Sequence, residues 1–87
     1  MNRMGAPSFD PIAPDCPEVT DYDRGHTRTY LRLLDAEADG ATWEAIAAEV
    51  LGQDIGTAPA ATHLMVESHL QRARWLRDSG YLRLLGE

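Results

Sequence analysis

The side chains able to do chemistry gather in one stretch, Thr62 to Tyr81, which reads THLMVESHLQRARWLRDSGY. His63, Glu67 and His69 are metal-ligand types. His63 and Glu67 share a helical face at four-residue spacing, but His69 stands six residues from His63 and points elsewhere. A zinc site needs three or four convergent ligands, and Cys16, the one cysteine, lies in a distant proline-rich segment. The spacing reads as a solvated His63 and a partly buried His69, with no metal. Ser68 and His69 are nucleophile and base types, yet adjacent residues on a helix diverge by about 100°. No glycine-rich phosphate loop occurs, so no cofactor is implied. Nothing here makes an enzyme.

The same stretch carries Arg72, Arg74 and Arg77, and a helix with arginines behind a shorter helix invites a DNA-binding reading. In a helix-turn-helix the first half of the second helix meets the base edges. Here that half reads APAATHLMVE, without arginine or lysine. The three arginines fall in the last turns, where they offset the helix dipole and can pair with Asp78 or with acids of the first helix. They read as surface and interface residues. Trp75 has two readings: a core residue of a helix wrapped on both sides, or an anchor for another protein.

The composition agrees with the charge pattern of that helix. Eighty-seven residues make one small domain with a compact core. The net charge is −6, all eight basic residues are arginines, and from Leu33 to Ala58 there are six acids and no base. Such a block opposes phosphate-backbone binding. It solvates a small domain or faces a basic partner. One cysteine allows no internal disulfide, and no run is long and apolar enough for a signal peptide or a membrane span. The expectation is a soluble cytoplasmic protein.

The elements that must position these residues are helices. Residues 1–20 hold four of the five prolines and no periodic apolar pattern, which predicts a disordered tail before a domain over 21–87. Asp21 or Asp23 is expected to cap a first helix near Arg24–Ala38, whose buried stripe is Thr27, Tyr30, Leu31, Leu34 and Ala38. Gly40 ends it, and Thr42 caps a second helix, Trp43–Leu51, with Trp43, Ile46, Ala47, Val50 and Leu51 inward. After Gly52 the segment QDIGTAP is longer than an ordinary helix-turn-helix turn. Pro59 opens a third helix, Pro59–Ser79, with Thr62, Val66, His69, Leu70, Ala73 and Leu76 on one stripe. Leu64, Ser68, Gln71 and Trp75 lie on another. Tyr81, Leu82, Leu84 and Leu85 form a short helical turn that folds back as a lid. The fold class is all-α: a three-helix helix-turn-helix variant with an extended turn.

Several of these runs carry a family resemblance: YLRLLDAEADGA, the tryptophan that opens the next helix, SHLQRARW, and the ending GYLRLL. Together they resemble the RovC-type DNA-binding domain, found in regulators of conjugative mobile elements in proteobacteria, over about Asp21 to Leu85. The resemblance implies a helix-turn-helix variant that, in the activators of the group, follows a separate N-terminal domain and binds DNA through a positive face. This chain has no room for that N-terminal domain and lacks the positive face. It is similar instead to stand-alone quorum-sensing antiactivators. These are implied to bind the N-terminal domain of a transcriptional activator as decoys, silencing element excision and transfer, and also to bind a LuxR/TraR-type regulator.

Two functions follow from the sequence. One is the protein-binding antiactivator, whose partner surface is expected at Arg28, Arg32, Arg74, Trp75, Arg77 and Tyr81, because arginine, tryptophan and tyrosine are enriched at hot spots. The other is a small DNA-binding regulator using Arg28, Arg32, Arg72 and Arg74.

Overall fold

Thr20 and Asp23 start the first helix by satisfying each other. In the computed structural model, which describes residues 8–82, the Thr20 hydroxyl accepts from the Asp23 amide at 3.1 Å, and the Asp23 carboxylate accepts from the Thr20 amide at 2.9 Å. This capping box makes Thr20 the cap of α1 (Asp21–Gly25). Asp21 and Asp23, expected as caps, sit one and three positions inside the helix.

The expected first helix is two helices. After α1 the chain turns at His26 (φ −122°, ψ 21°) and restarts as α2 (Thr27–Ala38). The cause is local. The His26 ring takes the Tyr22 carbonyl at 2.7 Å, the acceptor a continuous helix would offer to the His26 amide, and that amide bonds Asp23 O instead. The buried stripe of α2 is also not the expected one. Thr29, Tyr30 and Leu33 are buried, while Leu31 is 44% exposed. The run YLRLL offers two apolar faces, and the bond from Tyr30 Oη to Asp23 Oδ1 (2.9 Å) selects the one with Leu33.

Beyond α2 the pattern reads through. The Thr42 hydroxyl caps α3 (Trp43–Glu49), accepting from the Ala45 amide. Pro59 occupies the first turn of α4 (Pro59–Asp78), where a missing amide hydrogen costs nothing. Gly40 and Gly80 take φ values of 81° and 86° just beyond α2 and α4, a conformation that disfavours other residues. A helical turn at Tyr81–Leu82 follows, with Leu82 buried. Leu84 and Leu85 of the expected lid lie outside the described residues. Among the described residues every regular element is a helix. Both α2 and α3 pack on α4, around Tyr30, Leu33, Ile46, Ala47, Leu51, Val66, Leu70, Ala73, Leu76 and Leu82.

The expectation for the segment before α1 is disorder; residues 1–7 of it lie outside the described residues, and residues 8–20 make contacts with α1 and α4. Ala13 is buried and its amide donates to Ser68 Oγ at 3.0 Å. Prolines remove amide donors and forbid a helix, but they leave carbonyl acceptors free. This arm is held largely through those acceptors.

Candidate functional site

Asp23 and Arg72 form the centre of the molecule, joining α1 to α4 across a separation of 49 residues. Both side chains are withdrawn from solvent, at 0% and 3% exposure. Arg72 Nε donates to Asp23 Oδ1 at 3.1 Å and Nη2 to Oδ2 at 2.7 Å, a bidentate pair. The rest of the guanidinium reaches the arm, with Nη1 on Cys16 O and Nη2 on Glu18 O, each at 2.6 Å. Burial alone would raise the Asp23 pKa, but the bonds from Arg72, Thr20 and Tyr30 outweigh it and hold the carboxyl below its ordinary range. Burial and the Asp23 bond push the Tyr30 hydroxyl far above its ordinary value. Arg72 is thus a structural residue. The expectation that it lies at the surface is corrected, and it is not available to phosphate.

The other α4 arginines keep to the surface but have partners. Arg74 pairs with Glu37 of α2 through Nε and Nη2, and its bonds hold the Glu37 carboxyl low. Arg77 Nε donates to Asp78 Oδ1 at 2.9 Å. On α2, Arg32 Nη2 donates to Glu49 O at 2.9 Å and so caps the C-terminal end of α3, where a cation is favoured. Arg28 makes no ion pair among the described residues. Together with Phe9, Arg32 and the α3 end it lines a groove of about 460 Å³.

The six expected partner residues therefore fall in two sets. Arg28 and Arg32 share the groove beside α3. Arg74, Trp75, Arg77 and Tyr81 surround the end of α4, where the Trp75 and Tyr81 rings lie 5.5 Å apart. Trp75 is half-buried, so neither of its two readings holds alone. One ring face carries the Arg72 guanidinium at 4.3 Å, and the ring also lines a groove of about 490 Å³ between α4 and the arm. Ile12, Pro14, Cys16 and Gln71 are among its other walls.

The first half of α4, the part that meets bases in a helix-turn-helix, exposes Pro59, Ala60, Ala61, His63, Leu64 and Glu67. Leu64 is 60% exposed. His63 pairs with Glu67 at 3.6 Å and stacks on Trp43 with ring centroids 4.4 Å apart, so its neighbours are an acid and an aromatic ring. His69, expected partly buried, is fully buried. Its Nδ1 donates to Met65 O at 2.7 Å, which leaves Nε2 to accept from Tyr22 Oη at 2.7 Å. Burial lowers its pKa and keeps it neutral. Ser68 and His69 are 3.4 Å apart, but Nδ1 faces Met65 O, and Ser68 Oγ is bonded by the arm and Met65 O. The pair is structural. No group of three metal-ligand side chains converges among the described residues.

Sequence reasoning missed the Asp23–Arg72 pair, the arm that covers it and the His26 turn. One signal was present: Thr20 followed three residues later by an acid is a capping-box spacing. No helix among the described residues is long and apolar enough to cross a membrane. Comparison with curated proteins and with solved structures gives no match. The family comparison does: residues 5–86 match the RovC DNA-binding domain, described as "T6SS, Transcription factor, DNA binding domain", a regulatory and not an enzymatic family. The arm, α1 to α4 and the turn at Tyr81–Leu82 all lie inside that match, and the chain belongs to the RovC DNA-binding domain family.

Proposed function

We propose that this chain is an antiactivator, a family member that regulates transcription by binding a protein in place of DNA. Its partner is the N-terminal domain of a transcriptional activator of conjugative element transfer, which it occupies as a decoy of the activator's own domain. A LuxR/TraR-type quorum-sensing regulator is a second partner of the same kind. The observation that carries this reading is the exposed first half of α4, which bears an acid, a histidine and small apolar residues but no cation. Phosphate binding requires clustered cations there or beside it. The arginines of the second half of α4 are engaged: Arg72 by Asp23, Arg74 by Glu37 and Arg77 by Asp78.

The family match favours a second reading, a small DNA-binding regulator. Of the four arginines it needs, Arg72 is buried and Arg74 is tied to Glu37, which leaves Arg28 and Arg32. A reporter driven by the element's activator separates the two. The antiactivator lowers output only when the activator is present and leaves no footprint on the promoter; the DNA-binding regulator changes output without the activator and protects a defined site.

The surface proposed for the partner keeps Arg28, Arg32, Arg74, Trp75, Arg77 and Tyr81. Arg28→Glu with Arg77→Glu takes one residue from each set and should leave the melting temperature within a few degrees. Binding to the activator should weaken at least tenfold, about 1.4 kcal/mol. Unchanged affinity in that variant, with affinity lost on reversing Glu44 and Glu49, moves the interface to the acidic face of α3.

A further inference from the structure

The hydrogen bonds of the His26 ring demand a particular charge. It is buried, and both ring nitrogens face backbone carbonyl oxygens: Nδ1 to Tyr22 O at 2.7 Å and Nε2 to Ser8 O at 2.9 Å. A carbonyl oxygen only accepts, and a neutral imidazole has a single N–H. Both bonds exist together only in the imidazolium form. Loss of the proton leaves a nitrogen lone pair against a carbonyl lone pair, at a site with little water to intervene. The Tyr22 bond lies within one helical turn and fixes the α1–α2 corner. The Ser8 bond spans 18 residues and has only the arm at its other end.

We propose that His26 is a proton-operated latch that holds the start of the arm, Ser8 to Asp10, against α1 and α4. Phe9 shows what the latch covers. Its ring lies 5.3 Å from His26 and 5.9 Å from His69, and it also forms one wall of the groove that contains Arg28 and Arg32. Release of the arm withdraws that wall. The charged form of His26 therefore keeps this wall of the groove in place and the neutral form frees it.

The titratable and charged groups around the latch come from every element packed there. Tyr22 of α1 stacks on His26 at 4.0 Å, and Asp23 has its carboxylate turned to Arg72. His69 of α4 is close enough to interact with His26 and with Asp10 of the arm, and Arg28 of α2 lines the groove beside Phe9. The Asp10 amide donates to Tyr22 Oη, which donates to His69 Nε2, a second hold on the arm that does not pass through His26.

Amide hydrogen exchange on the full chain, followed by NMR across pH with intrinsic rates removed, tests this. The Asp10 and Ala13 amides report the arm, since they donate to Tyr22 Oη and Ser68 Oγ. Leu33 and Leu70 report the core, and the His26 ring is titrated in the same spectra. As His26 loses its proton, arm protection should fall roughly tenfold while core protection holds, in line with the loss of one charge-assisted bond. His26→Gln, which has donors at one end only and does not titrate, should abolish that step. Arm protection unchanged through the His26 titration overturns the latch, as does a step that persists in His26→Gln. A ring with only one protonated nitrogen at the pH of strongest protection overturns it as well.

Discussion

The two halves of α4 have opposite economies of charge. The N-terminal half, from Pro59 to about Glu67, exposes small and apolar residues and one acid, with His63 stacked on Trp43. The C-terminal half holds three arginines, each with a carboxylate: Arg72 with Asp23, Arg74 with Glu37, Arg77 with Asp78. The cations stand where the fold uses them, and the position a helix-turn-helix offers to bases has none. A family membership assigned to the whole chain does not by itself carry the family's charge to the surface that would need it. Arginine count is a poor guide to nucleic-acid binding; partners and burial decide.

The largest effect expected from this contrast is at Arg72. Removing one partner leaves Asp23 buried with Tyr30 and Thr20 as its only donors, a change that typically costs about 3–5 kcal/mol. Much of the stability of a small domain is of that size. Arg72→Ala should therefore be largely unfolded in denaturant titrations at neutral pH, whereas Arg77→Ala should melt almost with the wild type. Equal melts for both would mean that the two ion pairs are alike and that the buried pair contributes nothing.

A smaller effect depends on pH. The folded Asp23 pKa lies below its ordinary value of 3.8, so its contribution is complete above that value and is lost as pH falls through the folded one. In Asp23→Asn that contribution is absent throughout. The stability gap between wild type and Asp23→Asn should be widest near neutrality and narrow on acidification below about pH 4. A gap that stays constant to pH 2 would mean that Asp23 titrates normally in the fold.

How far the sequence could be read follows from the range of each interaction. The α3 stripe from Trp43 to Leu51 and the α4 stripe from Thr62 to Leu76 repeat every three or four residues, and periodicity finds them. The caps at Thr42 and Pro59 are equally local. The Asp23–Arg72 pair joins positions 49 apart through two side chains with no periodic signature, and the arm is held by carbonyls that every residue possesses. The α2 face is an intermediate case. Its leucines allowed either side, and a single long-range bond from Tyr30 to Asp23 decided between them.

That last choice gives the smallest expected effect. Leu31, placed in the core by periodicity, is exposed, and Leu33 is buried. Leu31→Gln should shift stability by no more than about 0.5 kcal/mol, while Leu33→Ala should cost about 2–5 kcal/mol. A large loss in Leu31→Gln, by equilibrium denaturation, would restore the face that the sequence pattern favoured.

On the function proposed above, the first half of α4 has no cation with which to hold DNA. Selection of the purified chain against random duplex DNA, followed by fluorescence anisotropy of the enriched pool over a series of salt concentrations, tests it most directly. No enriched motif and no saturable binding are expected near 150 mM salt, about the physiological level. An enriched motif bound at nanomolar concentration, with affinity falling steeply as salt rises, would contradict it and make this chain a DNA reader like the domain its family is named for.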